Sequence, residues 1–346
     1  MAYRTERAQT EKVMYRNHRT EVVIPVYNEA EFIGGVLDSL PVFVDRAYVV
    51  DDCSTDGSWE VIRRRATVSS TIASSTPDEE ATPEPRLVPI RHKENKGRSG
   101  TVKTGYAEAL KDDMDVVAVM DGGGQMDPAY LDRIVDPVVD GIADYAKGNR
   151  LDKPEDHEQI SNWRLFGNAL LTLLTRVASG YWGMTDPQNG YTAISAETLK
   201  LLELEELYDD YGFFNDVLVN LNVQGARIAD IPVRARYGDE ENGIQYRSFV
   251  PALSLLLLHR FLWRLMTSRA NKRQLEALLY GLAALVGVAG VCGVGLAVAG
   301  GLMWDIGIIA LIAFIATTAH GMAAVVIDRW HNRQFVTDFE LDQSAK

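Results

Sequence analysis

The stretch Val116-Val117-Ala118-Val119-Met120-Asp121-Gly122-Gly123-Gly124-Gln125-Met126-Asp127-Pro128 decides how the chain is read. An apolar, β-branched run ends in Asp121, three glycines free the backbone to turn, and Gln125 and Asp127 follow on the emerging loop. Open α/β sheets keep their ligands beyond the carboxyl ends of the strands. Carboxylate and amide oxygens at such a place suit a hard cation, Mg²⁺ or Mn²⁺. The stretch therefore outlines a metal-diphosphate site, although a glycine-rich turn with a surface aspartate is written in the same letters. The rest of the chain separates the two.

Upstream, residues 21–26 form a short apolar run broken by Pro25-Val26-Tyr27-Asn28-Glu29, and Phe32, Ile33, Val36, Leu37 and Leu40 follow at helical spacing. A second run, 47–50, ends in Asp51-Asp52-Cys53-Ser54-Thr55-Asp56-Gly57-Ser58, and 59–66 is helical in pattern. Strand 87–90 leads through the basic loop Arg91-His92-Lys93-Glu94-Asn95-Lys96-Gly97-Arg98-Ser99-Gly100 into a helix over 101–110. Such a loop either holds phosphates at a helix start or is a solvated charge run. This alternation predicts a parallel-sheet α/β domain. Residues 67–86, rich in Ser, Thr, Pro and Glu without an apolar period, read as a mobile insertion within it.

Downstream, a helix over 129–141 precedes strand 143–150, which ends in Gly148-Asn149-Arg150. The helix over 160–178 carries Arg164 and Asn168 four residues apart, on one face. The turn-rich loop Thr185-Asp186-Pro187-Gln188-Asn189-Gly190-Tyr191 follows, then a segment over 211–223 containing Phe213-Phe214-Asn215-Asp216, and a last strand over 228–233. Residues 249–266 alternate Leu253, Leu256, Leu257, Phe261, Leu262 and Leu265 with Arg260 and Arg264, the pattern of a helix lying in a bilayer interface. Residues 278–303 carry no formal charge, and 306–327 contain only His320, so each run is long enough to cross a membrane. The short gap around Asp305 predicts a hairpin. Arg269, Lys272 and Arg273 before it, with Arg329 and Arg333 after it, place both flanks and the soluble domain in the cytoplasm of a multi-pass cell-membrane protein.

The net charge of −13 argues against a nucleic-acid partner. Cys53 and Cys292 fall in regions of different depth, so no disulfide is expected. The polar first twenty residues lack an apolar signal core. The resulting organisation is a polar tail (1–20), an α/β domain (21–235), a loop with interface helices (236–274), two membrane helices (275–330) and a cytoplasmic tail (331–346). Oligomeric state, including a homo-oligomer, is left open.

In order and spacing, Pro25-Val26-Tyr27-Asn28-Glu29, Asp51-Asp52-Cys53-Ser54, Asn95-Lys96-Gly97, Met120 to Gln125, Gly148-Asn149-Arg150 and Asp186 to Tyr191 resemble family 2 glycosyltransferases. With the membrane segments added, the chain resembles the polyprenyl-phosphate group that includes dolichol-phosphate mannose and glucose synthases. The resemblance implies a GT-A fold, a Rossmann-like mixed sheet with helices on both faces. It implies a nucleotide-sugar donor, a polyprenyl (dolichyl) phosphate acceptor in the lipid, and Mg²⁺ or Mn²⁺. Pro25, Tyr27, Glu29, Asp51 and Asp52 would hold the nucleoside, Lys96, Gly122 and Arg236 would serve the donor phosphates, and Asp121 with Gln125 would meet the metal. Arg150, Arg164 and Asn168 would take the acceptor phosphate, with Asp186, Gln188 and Asn189 around sugar and acceptor and Asp216 as the catalytic-region acid. One departure stands out: Gly123 occupies the place of the family's second aspartate, so metal binding is expected to be weak or helped by Asp127 or another residue. A processive polysaccharide synthase and a catalytically silent sugar-nucleotide sensor are the alternatives. The first lacks its Q-x-x-R-W motif and its larger set of spans.

Overall fold

The computed structural model describes residues 15–75, 85–112, 114–150, 162–233, 246–267, 274–299 and 303–338. Among them, β1 (Thr20–Val26), β2 (Arg46–Asp51), β3 (Arg86–Arg91), β4 (Val116–Val119), β5 (Tyr145–Asn149), β6 (Thr192–Ser195), β7 (Ile228–Pro232) and β8 (Val336–Asp338) form one sheet, ordered β3-β2-β1-β4-β6-β5-β7-β8. Neighbours are parallel except around β6, which is antiparallel to both β4 and β5. The sheet is thus mixed, not parallel throughout. The four residues of β6 pair in the gap between β4 and β5, a placement that their short apolar sequence does not announce.

Alternation along β1 shows how the core divides. Val22, Ile24 and Val26 face a cluster shared with α1 (Ile33–Asp38), α2 (Ser58–Ser75) and α4 (Leu131–Val139). Val23 faces the other side, with Val102 and Tyr106 of α3 (Gly97–Ala109), Leu199 of α6 (Ala196–Leu201) and Phe213 and Leu218 of α7 (Phe213–Gln224). A strand buried on both faces reads as a continuous apolar run, and this one does. Helix α2 continues to Ser75, nine residues beyond the expected end at Ala66. Once nucleated, a helix gains one hydrogen bond per added residue and propagates through a stretch that has no apolar face. Residues 76–84 of that expected insertion lie outside the described residues, and its last residue, Arg86, opens β3.

Helix α5 (Asn162–Ser179) and α8 (Tyr246–Thr267) pack together on the domain. Leu253 and Leu257 of α8 are buried against Ala178 and Val219, whereas Leu255, Leu258, Leu262 and Met266 are exposed. The long helices α9 (Gln274–Ala299) and α10 (Met303–Asn332) lie antiparallel: Gly287, Gly290 and Gly293 face Thr317, Ala313 and Ile309 in turn. Their outer surfaces are apolar and open, Val291 being 75 % and Phe314 70 % exposed. Both are long and apolar enough to cross a membrane.

A buried polar network joins these helices to the sheet domain. Arg264 of α8 forks onto Asp328 of α10 with two bonds of 3.0 Å and donates to the Val177 carbonyl. Asp328 also accepts from the Trp182 indole at 3.0 Å and from the Asn332 amide at 2.8 Å, and Asn222 of α7 donates to Asn332. Gly180, at φ +80°, leaves room for the Arg264 guanidinium. Beyond α10 the chain returns to the domain as β8, parallel to β7.

Candidate active site

Because β1 to β5 and β7 run in one direction, their carboxyl ends lie along one edge of the sheet, and antiparallel β6 begins at that same edge. The loops after β1, β2, β3, β4 and β5 and the loop before β6 therefore converge. Each of three of them contains a non-glycine residue in the left-handed region: Asn28 (φ +54°), Cys53 (φ +62°) and Asp186 (φ +40°). Such strain persists where the surroundings hold it, commonly at functional sites.

The loop after β1 is bound to the loop after β2. Asn28 N–H donates to Ser54 Oγ at 3.0 Å, Glu29 N–H to Ser58 Oγ at 2.8 Å, and Thr55 N–H to Asn28 Oδ1 at 2.9 Å. Asp51 is fully buried, with Arg91 Nε 3.2 Å from one carboxylate oxygen. Its Oδ1 has no hydrogen-bond partner among the described residues. Asp52 has a different role, accepting from the Lys96 N–H at 2.9 Å and meeting His92 Nδ1 at 2.7 Å, which shapes the basic loop. Tyr27, on the loop after β1, stands half exposed, and Lys96 is exposed.

The loop after β4 is laid over the loop after β1. Gly122 N–H donates to the Pro25 carbonyl at 3.1 Å, and a Cβ at Gly122 would lie 2.9 Å from the Val26 side chain. Asp121 carries Arg98 on both oxygens, at 2.6 Å each from one nitrogen, with Nε at 2.9 Å. The Arg98 guanidinium also stacks on Phe214, 5.0 Å from the ring centre, and lies against Gly190, where a side chain would collide with it. Sequence reading chose Lys96 from this loop and passed over Arg98. The available signal was a cation in the first turn of α3, where the helix dipole disfavours positive charge.

On the other side of the site, Arg150 grips Asp186 through Nε at 2.7 Å and a terminal nitrogen at 2.9 Å, and Asn189 donates to the same carboxylate at 3.2 Å. Burial works against the Asp186 charge, yet the Arg150 guanidinium beside it holds the carboxyl below its ordinary range. Gln125, Asp127, Tyr130, Arg150, Asn189 and Tyr191 line one small cleft. Asp216 is elsewhere: fully buried, it lies 2.6 Å from Arg260 of α8 and accepts from the Tyr208 N–H. Burial pushes its carboxyl up, and Arg260 pulls it back only in part. Arg164 and Asn168 lie on α5 with side chains outside the described residues, as is Arg236 altogether.

Among the described residues, no three His, Cys, Asp or Glu side chains converge as a metal-binding group. Mg²⁺ commonly takes one or two carboxylates and completes its shell with water and substrate phosphates. Asp121 and the Gln125 amide oxygen suit that donor set.

Residues 21–201 match the profile of Glycosyl transferase family 2. The chain belongs to this family. Its relatives include the UDP-N-acetylglucosamine–dolichyl-phosphate N-acetylglucosaminyltransferase of Methanococcus voltae, 25% identical over 62% of this chain and 85% of that protein. Another is the undecaprenyl-phosphate mannosyltransferase of Micrococcus luteus, 28% identical over 62% of this chain and 82% of that one. Among solved structures, the Mycobacterium tuberculosis glucosyl-3-phosphoglycerate synthase, crystallised with Mn²⁺, UDP and glucosyl-3-phosphoglycerate, matches over 72% of this chain and 80% of its own at 20% identity and a TM-score of 0.49. As a family 2 glycosyltransferase, the protein carries the mixed α/β sheet expected of it.

Proposed function

We propose that this glycosyltransferase moves one hexose from a nucleotide diphosphate to a polyprenyl phosphate at a membrane surface, with inversion at the sugar carbon. The observation that carries the reading is the cleft shared by Gln125 and Asp127, from the loop after β4, with Arg150 and Asn189. On this reading the donor side and the acceptor side share one space. The names of the two relatives, both acting on a polyprenyl phosphate, support the acceptor class.

On the donor side, Asp51 Oδ1 is a buried acceptor with no partner among the described residues, suited to a base or ribose donor group, and Tyr27 stands open for a base to stack on. A divalent cation held by Asp121 and Gln125 would neutralise charge developing on the leaving diphosphate. On the acceptor side, a phosphate monoester with a second pKa of about 6 is already largely dianionic near neutrality, so it needs little deprotonation. Asp186 fixes the Arg150 guanidinium through Nε and one terminal nitrogen, and the positive charge so placed would draw the acceptor phosphate. Buried Asp216, committed to Arg260, serves by tying α7 to the interface helix rather than by taking a proton. On this reading the apolar outer face of α8 and the α9–α10 hairpin anchor the domain to the bilayer, with the domain on the cytoplasmic side.

Incubating the full chain in bilayers with radiolabelled UDP- and GDP-hexoses and polyprenyl phosphate tests the reading. An organic-soluble, acid-labile lipid sugar is expected from one donor. Long polymer would show a processive synthase, and no product from any donor would show a silent sensor.

A further inference from the structure

Three successive glycines follow Asp121, and each meets the loop after β1. Gly122 lies against Val26 and Ile33, Gly124 (φ +74°) against Phe32, and Gly123 against the carboxylate of Glu29. A Cβ built on Gly123 would lie 2.8 Å from Glu29 Oε1 and 3.2 Å from Oε2. That is close to the reach of an aspartate's own carboxylate from its Cβ. The Glu29 carboxylate thus fills the volume in which an aspartate at 123 would carry its charge. The geometry points to Glu29 as the second carboxylate of the cation site, supplied from the loop after β1 in place of a residue on the loop after β4.

Two features make this a held position. Glu29 is fixed at its backbone, its N–H on Ser58 and its carbonyl accepting from Phe32 and Ile33. The partner loop is fixed as well, by the Gly122 bond to the Pro25 carbonyl. The two backbones that bring the Glu29 side chain to Gly123 are therefore both anchored. The position of Glu29 also accounts for the glycine: an aspartate at 123 would meet Glu29 at close range and place two anions together, which disfavours ionisation of both. An acid at 123 therefore requires the Glu29 carboxylate to move aside.

The inference rests on the cation reading of Asp121, and the experiment separates the two. Mn²⁺ binding to the full chain in detergent is measured by the loss of the free-ion paramagnetic signal, with UDP or GDP present. Nucleotide binding without metal is measured in parallel. Glu29→Gln is expected to weaken Mn²⁺ on the order of tenfold or more, judged against the 10–100-fold losses typical even of groups that only orient metal ligands. Metal-free nucleotide affinity should change less than about twofold. Gly123→Asp alone should not tighten Mn²⁺, whereas Glu29→Ala with Gly123→Asp should recover most of the loss seen in Glu29→Ala. Unchanged Mn²⁺ affinity in Glu29→Gln, or failure of the double variant to exceed Glu29→Ala, overturns the proposal. An equal loss of nucleotide affinity with and without metal does so too, because Glu29 would then hold only the nucleoside. Asp121→Asn is the reference: if it also leaves Mn²⁺ binding intact, the cation reading itself fails, and if it alone abolishes binding, only the role of Glu29 does.

Discussion

Asp328→Ala removes the acceptor at the centre of the network that joins the hairpin to the sheet domain. Arg264 is 0% and Asp328 1% exposed, so the substitution strands a cation with no water to take the carboxylate's place. The Trp182 indole N–H and the Asn332 amide lose the same acceptor. Breaking a buried pair by removing one partner costs about 3–5 kcal/mol. At roughly 2 °C per kcal/mol for a large unit, the melting temperature should fall by roughly 6–10 °C. Replacing both ends with apolar groups, Arg264→Met with Asp328→Leu, leaves no orphan charge and should fall by far less. Intrinsic tryptophan fluorescence during heating in detergent follows the transition, since Trp182 reports on the junction directly. A melting temperature in Asp328→Ala within about 1 °C of the parent, or a double variant as unstable as the single, would refute the reasoning.

The remaining predictions concern the site. Asp121→Ala should abolish lipid-sugar formation and metal-dependent nucleotide binding, read by product extraction and by thermal stabilisation with UDP or GDP plus Mn²⁺. Arg98→Gln releases both Asp121 oxygens from their guanidinium, so Mn²⁺ affinity without nucleotide should rise several-fold; unchanged affinity would mean that the two cations do not compete. Cys53→Gly should raise stability by about 1 kcal/mol, because left-handed backbone costs a side-chain-bearing residue roughly 1–2 kcal/mol and the thiol's hydrogen bond among the described residues is a long one to the Lys93 carbonyl. Asp186 is more acidic folded than its ordinary 3.8, so its contribution to stability is complete above that value and is lost as pH falls through the depressed one. Asp186→Asn should therefore flatten the acid limb of a melting-temperature profile below about pH 4, with the neutral region lowered throughout.

Much of this architecture is written locally. Residues 20–26 and 116–119 are strands because their apolar runs are buried on both faces, and the breaks at Pro25 and at Gly122 to Gly124 mark where loops must begin. Two uncharged runs separated by a short gap are enough to predict the hairpin, since length and polarity set what a helix can cross. Spacing of motifs along the chain was likewise enough to indicate the family. What sequence could not carry is which loops touch. Glu29 reaches Gly123 across 94 positions, Arg98 reaches Asp121, and Arg150 reaches Asp186 only because β6 runs backwards between β4 and β5 and delivers its leading loop to the common edge. The commitment of Asp216 to Arg260, the burial of Arg264 on Asp328 and the return of the chain as β8 are hidden for the same reason. Periodicity and turn chemistry act over a few residues, whereas charge pairing and space filling at a site depend on distances between segments, and those distances exist only once the sheet has been ordered.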